Sequence, residues 1–245
     1  MKLNAGKKLK IFCDFDGTTS KNDVWLNSLG KFIIDKPAHN DLIEKFVAGE
    51  ISTRECIKME LDLIENFDLE LFNEYISQEQ LDPYFTEFYN FCNKRNYGIF
   101  IVSEGFDKYI QKMLNDNNLD IPYYCNILNI ETDGKLSCSF PHSDENCTHC
   151  GVSKRNVLIN NTNDLDGEVS VYIGDGVTDY CAVNYADIVF AKDKLASYCW
   201  KRNITYFEFK TFFDVMNKIE KLETKNRIKH RQEAKLKRRD VLMGG

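Results

Sequence analysis

Two carboxylates one residue apart, Asp14 and Asp16, close the run Leu9-Lys10-Ile11-Phe12-Cys13-Asp14-Phe15-Asp16-Gly17-Thr18. At the tip of a buried strand such a pair repels itself unless a cation sits among the acids. The chemistry it suits is a divalent metal with an aspartate nucleophile beside it. Three further stretches carry reactive side chains. Ile101-Val102-Ser103-Glu104-Gly105 ends an apolar run in a hydroxyl and a glycine. Lys154 opens a helical pattern after a cysteine-rich loop, and Tyr172-Ile173-Gly174-Asp175-Gly176-Val177-Thr178-Asp179 ends another run in two acids. Taken singly, each has a plain reading as a strand-to-loop junction, a turn or a solvated lysine. Each follows a strand or opens the helix behind one, an order that gathers them at one edge of a parallel sheet.

The elements that must position them alternate. Short apolar runs at 8–14, 98–103, 124–128, 169–174, 187–191 and 204–207 read as buried strands, with helical patterns between them. Pro83, with Asp82 as its cap, suits the first turn of a helix. The alternation predicts an α/β fold with a doubly wound parallel sheet. Two stretches break it. Residues 20–80 carry no strand signal but helical patterns near 23–34, 38–48, 53–67 and 69–77, and Ser52-Thr53-Arg54-Glu55 is a capping box. This reads as an inserted all-helical cap over the strand ends. Residues 129–152 contain Thr132-Asp133-Gly134-Lys135, whose Asp-Gly pair predicts a hairpin turn. The expected division is a core of residues 1–19 and 81–215, a cap of 20–80, and a basic C-terminal helix or tail of 216–245. From Phe212 to about Arg239 the pattern predicts one long helix with a solvated end.

The chain of 245 residues carries a net charge of −6. Residues 218–239 hold ten Lys or Arg against three Glu, so the tail is +7 and the remainder −13. An acidic body repels anions at long range, so an anion site must be built locally from a metal, a lysine and backbone amides. The glutamates in the tail and the lack of aromatics after Phe213 favour a solvated helix over a nucleic-acid contact. Nine cysteines scattered through apolar patterns suit a reducing compartment. No apolar run is long enough to span a bilayer. A cytoplasmic protein with no membrane partner is expected.

The four motifs, in this order over residues 8–214, resemble those of the haloacid dehalogenase-like superfamily of aspartate-nucleophile phosphatases. The insert resembles the helical cap of its phosphoserine phosphatase-like members. The resemblance implies Asp14 as nucleophile and Asp16 as general acid and base. It implies Mg²⁺ held by Asp14, the Asp16 backbone carbonyl and Asp175, with Asp179 orienting a metal water or Lys154. Ser103 and nearby amides would bind the phosphoryl oxygens and Lys154 would offset their charge. Thr18, Asp23, Ser103, Glu104, Gly105 and His142 are the expected substrate contacts. An acid at position 16, where ion-pumping relatives look like Thr, favours rapid hydrolysis of the aspartyl phosphate. The substrate is then a small phosphate ester. A phosphotransferase or mutase would use the same intermediate, and a module with a vestigial site is the non-enzymatic alternative.

Pro141-His142-Ser143, Cys147-Thr148-His149-Cys150-Gly151 and the Ser52-Thr53-Arg54-Glu55 phrase resemble the methionine-salvage phosphatase branch of that superfamily. Phosphoserine phosphatases carry a carboxylate-binding arginine one to two turns past the capping box. Here the stretch reads Ile57-Lys58-Met59-Glu60-Leu61, although Asp23 sits where that family has an acid near the substrate amine. Glu104 departs from the Ser-Gly-Gly pattern of both branches, and either points away from the phosphate or tunes the leaving-group pocket. Cys138, His142, Cys147 and Cys150 offer four ligands for a structural Zn²⁺, or they are a loop of free thiols with an ordinary hydrogen-bonded histidine. Cys13 and Cys181 read as packing residues. Trp25, Phe32, Phe46, Phe67 and Phe72 read as cap core, with Trp25 at the pocket.

Overall fold

The computed structural model describes residues 8–132, 134–145 and 149–244. In chain order these form β1 (Leu9–Cys13), α1 (Val24–Asn27), α2 (Lys36–Ala48), α3 (Thr53–Asp62), α4 (Leu69–Gln78), α5 (Phe85–Lys94) and β2 (Gly98–Phe106). There follow α6 (Asp107–Asp116), β3 (Tyr123–Ile130), β4 (Leu136–Ser139), α7 (Lys154–Asn160) and β5 (Val169–Gly174). The chain ends in β6 (Ile188–Ala191), α8 (Asp193–Lys201), β7 (Phe207–Glu208), α9 (Phe212–Thr224) and α10 (Gln232–Leu242). The strand order is β4-β3-β2-β1-β5-β6-β7. This is the doubly wound α/β sheet expected from the alternation.

The chain divides into two compact units. The first holds the chain up to Asp14, Asp82–Val102, and everything from Lys154 on. Its strands β2, β1, β5, β6 and β7 pair in parallel, with β1 in register from Leu9↔Val169 to Cys13↔Ile173. Leu9, Ile11, Phe12 and Cys13 are fully buried, as a strand covered on both faces requires. Helix α5 packs on α9 through Phe85 and Phe88 against Phe212 (ring centroids 4.9 and 4.8 Å). Helix α5 begins at Phe85 with Tyr84 at its N-cap, so Pro83 and Asp82 lie in the turn before it rather than opening it as expected. Asp82 accepts hydrogen bonds from the amides of Tyr84 (3.0 Å) and Phe212 (3.3 Å) and so ties that turn to the start of α9.

The second unit holds Phe15–Leu81 and Ser103–Ser153. It contains α1 to α4, the C-terminal half of β2, α6, and the antiparallel pair β3–β4 (Ile127↔Ser139 to Ile130↔Leu136). The capping box is present: Ser52 Oγ accepts from Glu55 N, and Glu55 Oε2 accepts from Ser52 N (2.8 Å). Phe32, Phe67 and Phe72 pack as tilted rings in the cap core. The hairpin turn closes with Gly134 N donating to Glu131 O (3.0 Å), while its Asp133 lies outside the described residues.

The C-terminal reading needs correction. One helix was expected from Phe212 to Arg239, but α9 and α10 are separate, with Asn226 between them at φ +50°. Nor is α10 a solvated end throughout. Arg238 is 1% exposed and donates to Asp164, Asp187, Ser170 Oγ and the Tyr185 carbonyl. A guanidinium so deeply buried persists only when every donor finds an acceptor. Asp164, Asp187 and His230 lie close enough together to suggest a metal site, but Arg238 already supplies the positive charge there.

Candidate active site

Strand β1 delivers Asp14 to its carboxyl end, where the Asp14 amide donates to Ile173 O on β5 (2.9 Å). Lys154 heads α7, and its Nζ lies 2.9 Å from Asp14 Oδ1 and 2.7 Å from Asp179 Oδ1. It also donates to Thr178 Oγ1 (3.1 Å). Burial works against the ammonium charge, but Asp14 and Asp179 together hold the Lys154 pKa well above its ordinary value.

Asp179 is fully buried and accepts four hydrogen bonds. Its Oδ1 takes Lys154 Nζ and Tyr172 OH (2.7 Å), and its Oδ2 takes the amides of Asp175 (3.1 Å) and Gly176 (3.0 Å). Those contacts use the acceptor capacity of a carboxylate. Asp179 therefore orients Lys154 and the loop that carries Asp175. Carboxylate oxygens of Asp14, Asp175 and Asp179 converge within 4.8 Å of one another. Burial first, then the charges of Asp179 and Asp175, push the Asp14 pKa well up, with Lys154 opposing. Three acids against one lysine leave a deficit of positive charge, and an all-oxygen donor set matches a hard divalent cation such as Mg²⁺.

In the second unit, Asp16 sits in the Phe15–Thr19 turn with Thr18 buried beside it. Asp16 Oδ1 accepts from the amides of Val24 (2.9 Å) and Trp25 (3.3 Å), and Oδ2 from Tyr109 OH (2.8 Å) and Ser103 Oγ (3.5 Å). Burial, and then Asp23, raise the Asp16 pKa to about 7, against the lowering effect of these donors. A carboxyl titrating there suits a group that must give and then take a proton near neutrality. Ser103 Oγ also accepts from Gly105 N (2.9 Å). A side chain at Gly105 would collide with the Tyr109 hydroxyl and come within 2.7 Å of Asp16 Oδ2, so only glycine lets the backbone pass. Asp23 caps α1 by accepting from Leu26 N (3.0 Å).

Glu104, whose direction the sequence left open, turns onto the loop before Lys154. Its Oε2 accepts from the amides of Gly151 and Val152, both at 3.1 Å. His142 packs edge-on against Tyr124 (5.1 Å), and its carbonyl accepts from Ser153 N (2.8 Å). The zinc reading is not supported. Among the described residues, Cys138, His142 and Cys150 form no cluster of metal-ligand spacing, and Cys147 lies outside those residues. Cys138 sits on β4, and the Cys150 carbonyl is taken by Arg54 Nε (2.7 Å).

Sequence reasoning passed over Tyr109 and Tyr172, because a tyrosine in an apolar pattern reads as core. It also passed over a buried pair in the cap, His39 Nε2 and Glu60 Oε1 at 3.0 Å. Burial raises Glu60 to about 8 and lowers His39, so both shifts favour neutral forms of this hydrogen-bonded pair. The Trp25 indole stacks on His39 (6.0 Å).

With this geometry in hand, similarity to known proteins sharpens the assignment. The family model "haloacid dehalogenase-like hydrolase" matches residues 11–183. A protein of Bacillus cereus (strain ATCC 10987 / NRS 248), "2-hydroxy-3-keto-5-methylthiopentenyl-1-phosphate phosphatase", is 31% identical over 222 residues, 87% of this chain and 97% of its own length. A protein of the same name from Bacillus anthracis (strain CDC 684 / NRRL 3495) is 31% identical over 93% of this chain and 99% of its own. Two solved phosphoserine phosphatases share the fold. One, a phospho-aspartyl intermediate analogue, has TM-score 0.68 at 20% identity and covers 87% of this chain and 99% of its own. The other, substrate-bound, has TM-score 0.67 at 19% identity and covers 86% and 97%. The chain is a phosphatase and belongs to the haloacid dehalogenase-like hydrolase family.

Proposed function

We propose that this chain is a Mg²⁺-dependent phosphomonoesterase that works through an aspartyl phosphate on Asp14, with the methionine-salvage enol phosphate as its favoured substrate. The observation that carries the reading is the fully buried Lys154, held between Asp14 and Asp179 with Asp175 converging on them. A buried ammonium bonded to two carboxylates is an expensive arrangement that structural needs alone seldom explain. It places positive charge where phosphoryl oxygens need it.

Asp14, Asp175 and the backbone carbonyl of Asp16 would hold Mg²⁺. When bound, the ion neutralises phosphoryl charge and offsets the repulsion among these acids. Asp14 attacks phosphorus, its new P–O bond replacing the bond to the leaving alkoxide. Asp16, within about 7 Å of Asp14 along the chain by covalent connectivity, gives its proton to that alkoxide. Asp16 then removes a proton from the water that attacks the acyl phosphate, releasing inorganic phosphate and regenerating Asp14. Ser103, bonded to Asp16 and to Gly105 N, is the hydroxyl donor for the phosphoryl group.

The cap favours a leaving group without a carboxylate. Glu60 stands one turn past the capping box, paired with His39, and Lys58 lies over the Phe140 ring (5.6 Å). Arg54 is bonded to the Asp144 and Cys150 carbonyls. Asp23, at the start of α1, would repel a substrate carboxylate, and the neutral Glu60–His39 pair offers it no countercharge, which favours the neutral enol over phosphoserine. A panel comprising 2-hydroxy-3-keto-5-methylthiopentenyl-1-phosphate, phosphoserine and p-nitrophenyl phosphate tests this. The enol ester should give the highest kcat/KM. A preference for phosphoserine overturns the substrate assignment, and loss of all hydrolysis on EDTA treatment, restored by Mg²⁺, checks the metal.

A further inference from the structure

The loop that leads into Lys154 is gripped from two sides by charges of opposite sign, all within the second unit. From α3, Arg54 donates through Nε to Cys150 O (2.7 Å) and through Nη2 to Asp144 O (3.1 Å), and its amide reaches His149 O (3.3 Å). From β2, Glu104 Oε2 accepts the next two amides, Gly151 N and Val152 N. The cation takes carbonyls and the anion takes amides, so neither main-chain polarity is left for water alone to satisfy. Asn126 Nδ2 donates to the Glu104 backbone carbonyl (2.6 Å) and to its Oε2 (3.4 Å), which steadies the residue. At Gly151 there is no space for a side chain, since a Cβ would fall 2.6 Å from Glu104 Oε2 and 2.8 Å from Phe140 Cδ1. The glycine thus permits the approach that the carboxylate needs.

We infer that Glu104 and Arg54 are positioning residues, which pin the chain at Asp144 and over Cys150–Val152 and so fix the point at which it enters Lys154. Glu104 is flanked by Ser103 and Gly105, whose backbone passes over Asp16 and Tyr109. One residue therefore ties the phosphoryl-binding strand tip to the segment that ends, three residues past Gly151, at the buried ammonium. The departure from a glycine at position 104 then has a use that is not substrate contact. The inference rests on the proposed role of Lys154. Displacing such a group by about 1 Å is enough to cost on the order of 100-fold in rate.

The test compares wild type with Glu104→Ala, Glu104→Gln, Arg54→Ala and the double alanine variant, using p-nitrophenyl phosphate with Mg²⁺ and hydrogen exchange at the Gly151 and Val152 amides. Glu104→Ala should speed exchange at both amides and lower kcat about 10–100-fold with KM within about threefold. Glu104→Gln, whose amide oxygen still accepts, should restore most of kcat, and it keeps the test readable if the alanine variant folds poorly. The two alanine changes should cost less together than the product of their separate effects, because they act on one loop. Faster exchange with unchanged kcat overturns the inference, since the loop would then be structural only. A large rise in KM with unchanged exchange also overturns it, because Glu104 would then touch substrate. A wild-type protein with no hydrolysis at all is instead the failure of the phosphatase reading.

Discussion

Arg238→Met removes the guanidinium buried against Ser170 of β5 and Asp187 ahead of β6, and leaves Asp164 and Asp187 without it. The Asp187 side chain is 0% exposed and that of Arg238 1%. Arg238 Nη2 contacts both Asp187 oxygens (3.2 and 3.1 Å), Nε contacts Asp164 Oδ2 (3.1 Å), and Nη1 contacts Ser170 Oγ (3.1 Å). Breaking one side of such a buried pair costs about 3–5 kcal/mol, which for a chain of this size lowers Tm by roughly 6–20 °C. The control is Lys237→Met on the same helix, whose exposed partner is Glu233 at i−4 (2.8 Å). That change should cost about 0.3–0.5 kcal/mol. Urea and thermal denaturation of both variants give the contrast, and adding Asp164→Asn and Asp187→Asn to Arg238→Met should recover part of the loss. Arg238 bonds to none of the proposed catalytic side chains, so kcat measured well below Tm should be unchanged. A loss under about 1 kcal/mol for Arg238→Met would mean that the Arg238 ion pairs are no stronger than exposed ones and that α10 is a solvated tail.

Other expectations follow from the same geometry. Asp16→Asn should lower kcat/KM for an alkyl phosphate ester by about 10²–10⁴-fold yet lower it far less for p-nitrophenyl phosphate, because kcat/KM reports formation of the aspartyl phosphate and nitrophenolate leaves without a proton, whereas kcat should fall for both through the lost base. Equal losses of kcat/KM on both esters would remove the acid role. Glu60, raised to about 8 by burial, favours the protonated folded state, so its stabilising contribution is complete below the ordinary carboxylate range and fades as pH rises to about 8. The Tm of wild type relative to Glu60→Gln should therefore fall between pH 5 and pH 8.5, and a pH-independent difference would contradict the neutral His39–Glu60 pair.

Much of the site was legible because its residues break local rules. Two acids at the end of Ile11-Phe12-Cys13, and two more after Tyr172-Ile173, are anomalies that only electrostatics can reconcile with burial, and the structure brings Asp14, Asp175 and Asp179 together. The sheet was legible because buried parallel strands are plain apolar runs; β5, Val169–Gly174, has every residue buried. What stayed hidden depends on partners distant in sequence. Tyr109 and Tyr172 fit apolar patterns, and only the fold shows their hydroxyls on Asp16 and Asp179. Arg238 lies in a run of basic residues that composition assigns to solvent, whereas its acceptors are on elements 51 to 74 positions earlier. The cysteine-rich stretch was less legible. Its spacing offered ligands, yet Cys138, His142 and Cys150 form no metal-ligand cluster among the described residues, and the Cys150 carbonyl and Gly151 amide are held by Arg54 and Glu104.

Asp14 is the residue proposed to carry the phosphoryl group. Rapid acid quench of enzyme turning over a ³²P-labelled substrate, followed by peptide mapping, tests it directly. An aspartyl phosphate on Asp14 should give acid-stable, hydroxylamine-labile label on the peptide containing Asp14, and no label or turnover in Asp14→Asn. Turnover that persists in Asp14→Asn, or label that maps to another residue, would contradict it.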